Sequence, residues 1–340
     1  MADGMARECR GRARFSLEKE PSVIPAPTMT DVLEARRRIS TYLRPTPLYS
    51  HPALCELVGT EVWVKHENHQ PIGAFKVRGG INLVSRLTED ERRLGVITAS
   101  TGNHGQSIAY AARLFDVKAV IVVPLGANPV KVKAMERLGA HVIASGKDFD
   151  EAREECGRLS AEKGYRMIHA ANEPHLVAGV ATETLEILEE RPDIDVIIGP
   201  VGGGSGMAGA CIVAGALAPN VRLIAAQAAA APAACRSWRE RKIVEDRMGT
   251  AAEGVATRVG FELTQGILWD GLDDFILASE EEIRSATILM IEGTRTLVEA
   301  AGAVPLAAAL QIRDRLAGLK VALICSGGNI SPDQLRSLYA

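Results

Sequence analysis

The sequence predicts an α/β fold of mostly parallel sheets flanked by helices, and three observations carry that expectation. Short apolar runs of strand length alternate with longer helical patterns from Met29 onward. Four glycine-rich turns stand where an apolar run meets the next element. The chain has 340 residues, 47% of them apolar. That is enough for two cored domains at roughly 150 residues each.

In order, Glu61 to Lys65 reads as a strand and Ala74 to Leu87 as a helix. Gly95 to Ala99 is extended, Gly105 to Phe115 helical, and Lys118 to Val123 a strand closed by Pro124. Helices follow at Pro129 to Leu138, Asp148 to Lys163 and Leu176 to Glu190, with His141 to Ile143 extended. The last part alternates strands at Asp195 to Ile198, Val221 to Ala226 and Lys320 to Cys325 with helices at Gly206 to Leu217 and Glu280 to Thr296. Ala228 to Ala234 reads as a loop running into a helix, and Gly249 to Asp274 as weakly patterned loops.

Composition excludes several classes. Lys+Arg 39 against Asp+Glu 42 gives a net charge of -3, so no basic field gathers nucleic acid. Val196 to Val221 carries no formal charge over 26 residues, but Pro200, Pro219 and Gly202 to Gly206 would break a spanning helix, so no membrane span is expected. Cys9, Cys55, Cys156, Cys211, Cys235 and Cys325 are dispersed without a C-x-x-C pair, which fits reduced thiols in a cytoplasmic protein. Residues 1–28 mix arginines with glutamates and lack a signal-like apolar stretch, so they are expected to be a disordered extension.

Each glycine turn has two readings. Gly202, Gly203, Gly204, Ser205 and Gly206 can curl successive N–H groups around a phosphate at a helix start, or simply make a tight turn. Ser100, Thr101, Gly102, Asn103, His104 and Gly105 offer hydroxyls, an amide and helix-start N–H groups to a carboxylate, or form a capping turn. Lys76, between Phe75 and Val77, is either a snorkelling or salt-bridged lysine, or an amine made neutral by burial and able to form a Schiff base. His66 and His69 are suitably spaced for a metal but lack a third ligand nearby, so no metal site is expected.

Together, Pro71-x-Gly73-x-Phe75-Lys76-x-Arg78-Gly79, Ser100 to Gly105, Pro200 to Gly204 and Ser326-Gly327-Gly328-Asn329 resemble the pyridoxal-phosphate-dependent serine/threonine dehydratase and serine racemase family. The resemblance runs from about Arg44 to Asn329 and implies the two-domain tryptophan synthase β-like fold (fold type II). It implies a large cofactor domain of residues 29–93 and 172–340 with a mobile small domain, 94–171, inserted in it, and a homodimer. Lys76 would carry the cofactor's Schiff base, Phe75 lie beside the ring and Asn103 bond its phenolic oxygen. Gly202 to Gly206 would hold the phosphate, and Ser326 would face the pyridine nitrogen. Ser100, Thr101, Gly102, Asn103 and His104 would receive the carboxylate of a small amino-acid substrate. A neutral hydroxyl at Ser326 makes the ring a weaker electron sink than a carboxylate would, which favours β-elimination.

The chain departs from the family pattern in three places. Gln227 and Ala233 replace the glutamate and aspartate of metal-activated members, so no hard-cation dependence is expected there. Thr101 replaces the racemase serine, and Gly179-Val180-Ala181-Thr182 replaces Gly-Gln-Gly-Thr. Because the chain ends at Ala340, the regulatory domain of biosynthetic threonine dehydratases is not expected. The resulting expectation is a lyase releasing ammonia and a 2-oxo acid from a β-hydroxy amino acid. The alternatives are racemisation, β-replacement, or a catalytically silent cofactor-binding protein.

Overall fold

The computed structural model describes residues 24–340. Residues 1–23 of the expected disordered extension lie outside that range. Of the remainder, Ile24 packs against the core. Thr28 caps the helix Met29–Ile39, its side chain accepting from Asp31 N while its own N–H donates to Asp31 at 2.8 Å.

Ten strands form two sheets. They are β1 (Leu48–Ser50), β2 (Glu61–His66), β3 (Val96–Ala99), β4 (Ala119–Val123), β5 (His141–Ala144), β6 (Arg166–Met167), β7 (Val196–Pro200), β8 (Arg222–Ala228), β9 (Asp274–Ala278) and β10 (Lys320–Cys325). The six-stranded sheet runs β1-β2-β10-β7-β8-β9 and the four-stranded sheet β5-β4-β3-β6. Every pairing is parallel except β1 with β2. The smaller sheet is built entirely from chain between β2 and β7.

Strand periodicity builds the cores. In β7, Val196 and Ile198 enter one buried cluster while Ile197 enters the cluster on the opposite face. In β10, Val321 and Leu323 side with the first and Ala322 and Ile324 with the second. A strand buried on both faces reads as a continuous apolar run, which is why these strands were visible in the sequence.

The larger departures lie where periodicity is weak. The expected helix Leu176 to Glu190 is two helices, Pro174–Val180 and Thr182–Glu190, meeting at Ala181. Part of the stretch read as loops, Gly249 to Asp274, is the helix Glu262–Gly271, followed by β9. The helix Ala300–Gln311 was not anticipated; it is apolar nearly all round and carries Pro305 inside, so it offers neither a stripe nor a clean start. Among the described residues no helix is long and apolar enough to cross a membrane.

A buried ionic cluster ties the end of β2 and the turn after it to Arg78 and to the helix Thr182–Glu190. Arg78, 0% exposed, donates through Nε and Nη2 to Glu67 and through Nη1 and Nη2 to Glu186, each bond at 2.7 Å. Lys65 Nζ adds a 2.6 Å bond to Glu186. Arg78→Met would leave two carboxylates facing each other with one remaining cation. A loss of about 3–5 kcal/mol in denaturant unfolding is therefore expected; a change below about 1 kcal/mol would contradict this account.

Candidate functional site

The sheet order assembles the site. β10 lies between β2 and β7, with Cys325 level with His66. The chain leaving the carboxyl ends of these three neighbours therefore supplies the Lys76 segment, Ser326 and the Gly202 loop at one sheet edge. The turn after β3, the corresponding end of the smaller sheet, supplies Ser100 to His104.

Lys76 opens the helix Lys76–Val84, which glycines allow to pack closely on its neighbours. A Cβ on Gly179 would lie 2.7 Å from Arg78 O, and one on Gly80 would lie 2.3 Å from Ser107 Oγ. Ser107 Oγ in turn donates to Lys76 O at 2.6 Å. With its backbone held, Lys76 sends Nζ to Ser205 Oγ at 2.7 Å, and the same nitrogen lies 4.9 Å from the Phe75 ring centre. Burial lowers the amine to about 8, against the opposing charge of Glu183. Of the two readings of Lys76 left open by the sequence, the surface salt bridge is thereby set aside: the nitrogen ends on the glycine loop.

The loop has the makings of an anion cradle. Among the described residues, the backbone N–H groups of Gly202, Gly203, Gly204, Ser205 and Gly206 donate to no protein acceptor, although all but Gly203 are buried. Each unsatisfied buried donor costs about 1–3 kcal/mol. A phosphate at the start of the helix Ser205–Leu217 would satisfy them. Gly204 sits at φ +86°, in the left-handed region, and a Cβ there would lie 2.9 Å from Thr264 Oγ1. Thr264 braces the loop by donating to Gly203 O at 2.7 Å. The donor set and a desolvated amine beside it fit pyridoxal phosphate.

The turn Ser100 to Gly105 is braced from within. Ser100 Oγ accepts from Gly102 N at 3.3 Å and from Gly105 N at 2.9 Å and so braces the turn. The helix starts at Asn103, two residues earlier than expected, which puts Asn103 and His104 in its first turn. A Cβ on Gly102 would meet nothing within 4 Å, so the turn faces open space. Thr101 is partly exposed there. His104 turns its Nε2 to Thr98 Oγ1 at 3.0 Å, and its buried Nδ1 has no partner. Burial, with the Lys76 charge next, lowers His104 to about 3, so it is a neutral imidazole.

Asn103 is engaged on both amide atoms. Its Nδ2 donates to Glu299 at 2.6 Å and its Oδ1 accepts from Asn329 at 2.7 Å. Ser326, 5% exposed, accepts from Phe75 N through its carbonyl at 3.0 Å. Sequence reasoning missed Glu299, whose carboxyl is raised by burial, and Glu183. The available signal for Glu299 was a lone charge inside an apolar run, Leu297 to Val304. A cavity of about 170 Å³ lies between Thr98, His169 and Phe261, and Lys76 is not among its lining residues.

Gln227 is committed elsewhere: its Oε1 accepts from Cys235 N at 3.1 Å and its amide nitrogen reaches Thr257 at 3.4 Å. His66 stacks on His69 at 4.9 Å, and His51 Nε2 lies 3.0 Å from His66 Nε2.

A family model described as pyridoxal-phosphate dependent enzyme matches residues 39–327. The chain belongs to this family. It is 37% identical to an L-threonine ammonia-lyase of Thermotoga maritima, over 91% of this chain and 77% of that one. It is 36% identical to an L-threo-3-hydroxyaspartate ammonia-lyase of Saccharomyces cerevisiae, over 92% and 97%. The crystal structure of serine racemase from Dictyostelium discoideum superposes with a TM-score of 0.85 at 36% identity, covering 90% of this chain and 99% of that one. The fold-type II architecture and the cofactor expected from the sequence are thus those of the family.

Gly204→Ala tests the cradle. It forces a left-handed alanine against Thr264, at about 1–2 kcal/mol. Cofactor affinity in a spectral titration is expected to fall about tenfold or more. An unchanged affinity would remove the loop from the cofactor site.

Proposed function

We propose that this protein is an ammonia-lyase that removes water from a β-hydroxy amino acid and yields a 2-oxo acid and ammonia. The observation that carries this reading is the contact of the desolvated Lys76 amine with Ser205, at the edge of a row of unpaired N–H groups. The ammonia-lyase names of the relatives in Thermotoga and yeast support the reaction class.

Lys76 and the loop Gly202 to Gly206 would hold the cofactor, with Phe75, Asn103 and Ser326 around its ring. Pyridoxal phosphate, when bound, supplies a conjugated ring that takes up the electron pair left at Cα. The substrate carboxylate is received at the start of the helix Asn103–Leu114. There the N–H groups of Thr101, Asn103 and His104 donate to no described group. Ser100 holds Gly102 and Gly105 in place, and neutral His104 leaves that pocket without a competing charge. Lys76 Nζ accepts the Cα proton as a free amine, aimed by Ser205 Oγ. The uncharged hydroxyl of Ser326 keeps the electron pair at Cα short-lived, so expulsion of the β-hydroxyl, which leaves as water with the proton that Lys76 took from Cα, competes well with reprotonation. The enamine that leaves is hydrolysed in water to the 2-oxo acid and ammonia.

Residues 94–171 act in this reading as a lid over residues 29–93 and 172–340. The ion pair of Lys131, on the helix Pro129–Arg137, with Glu253 supports that role by joining the two parts.

The test is 2-oxo acid release from a panel of serine, threonine, 3-hydroxyaspartate and an aryl-serine. At least one is expected to be turned over, with Lys76→Ala reducing turnover by at least about 10³-fold. Racemised amino acid without 2-oxo acid, or full activity in the variant, would contradict the proposal. In the same assay Ser326→Asp is expected to slow elimination by about tenfold or more.

A further inference from the structure

The cavity between Thr98, His169 and Phe261 has no part in the chemistry above. One wall stands at the carboxyl ends of strands of the smaller sheet: Thr98 and Ala99 close β3, Met167 closes β6, and Phe149 starts the helix after β5. The Ser100 turn leaves β3 at the next residue. The other wall is Met248, residues 256–259 and Phe261. Phe261 joins the two, its ring meeting that of His169 edge to face at 5.2 Å. Its Cε2 also lies 3.8 Å from the point a Cβ on Gly203 would occupy. The cavity therefore borders both the turn that receives the carboxylate in this reading and the glycine loop.

Its size and lining select an occupant. The volume, about 170 Å³, is close to that of an engineered apolar cavity of about 150 Å³ that takes up benzene. A hydrogen or a methyl group on the β-carbon would leave most of it empty. Phe149, Met167, Ile168, Met248, Val259 and Phe261 line it with carbon. Phe149 and Met248, from opposite walls, are 41% and 40% exposed, surface that an apolar group in the cavity would cover. The charged groups of the lining balance, Asp148 and Asp150 against Arg153 and Arg258. Asp150 lies 3.5 Å from Arg153, and Asp148 accepts from Glu151 N at 3.0 Å. An anionic substituent would meet no net positive charge there.

We propose that this cavity receives the substituent on the substrate's β-carbon, and that the preferred substrate is a β-hydroxy amino acid bearing an aryl ring there. The β-hydroxyl leaves as water and one water returns when the enamine is hydrolysed, so the products are a 3-aryl-2-oxo acid and ammonia. The ring is held by burial among carbon side chains, with no polar partner required. The proposal rests on the lyase reading and names its substrate class.

The test uses the full-chain holoenzyme and two measurements. Release of 2-oxo acid is compared for 3-phenylserine, serine, threonine and 3-hydroxyaspartate. The kcat/KM is expected to be highest for 3-phenylserine, by about tenfold or more over serine. Binding of L-phenylalanine and L-alanine, which have no β-hydroxyl to lose, is followed by cofactor absorbance, and phenylalanine is expected to bind about tenfold or more tightly than alanine. Ala256→Phe, which fills the cavity from its wall, is expected to lower both ratios by about tenfold. The wild-type comparisons stand even if the variant fails to fold. A kcat/KM for serine, threonine or 3-hydroxyaspartate at or above that for 3-phenylserine, phenylalanine binding no tighter than alanine, or ratios unmoved in the folded variant overturns the proposal alone. No 2-oxo acid from any of the four overturns the lyase reading and the proposal with it.

Discussion

Two residues beyond Lys76, the guanidinium of Arg78 is gripped on both sides by carboxylates from separate elements, and the geometry of the site depends on that grip. Glu67 follows β2 and Glu186 rides on the helix Thr182–Glu190, so one side chain fixes the lysine helix to the sheet and to the helix behind it. Desolvating these charges is expensive, and the return is specificity of placement, since planar Arg–carboxylate forks tolerate little rotation. Glycines on both sides of the Lys76 helix make the same demand in steric form. An amine that must meet a carbonyl carbon within bonding distance needs a backbone that does not drift.

That rigidity serves an electrostatic end. The glycine loop brings no cationic side chain to an anion, only peptide N–H groups and a helix start. The amine beside it is lowered by burial, the imidazole of His104 is neutral, and Glu299 is raised. Such a site has little fixed charge of its own and lets cofactor and substrate bring theirs. In a low-dielectric pocket, each proton held by Lys76 then carries a large consequence.

The legible part of the fold was the part buried on both faces. Strands such as Val196–Pro200 and Lys320–Cys325 could be read because parallel strands between helix layers are apolar without interruption. The helix Ala300–Gln311 escaped for the converse reason: alanines buried all round leave no period to detect. At the site, Lys76 and the glycine loop were legible through short motifs. Their meeting at 2.7 Å depended on β10 lying between β2 and β7, a pairing that no local pattern encodes. Glu183 and Glu299 were illegible because a carboxylate draws attention only once its burial is known. Ser100 appeared in the sequence as either cap or receptor; the bonds from Gly102 and Gly105, which show it bracing the turn, needed the folded chain to be seen.

The central claim is covalent, that Lys76 and no other lysine bears the cofactor. Reducing the cofactor-loaded protein with borohydride and mapping the label by proteolysis and mass spectrometry tests it directly. The account predicts a single pyridoxyl phosphate group on the peptide containing Lys76. Label on another lysine, or cofactor that washes away unreduced, would contradict it.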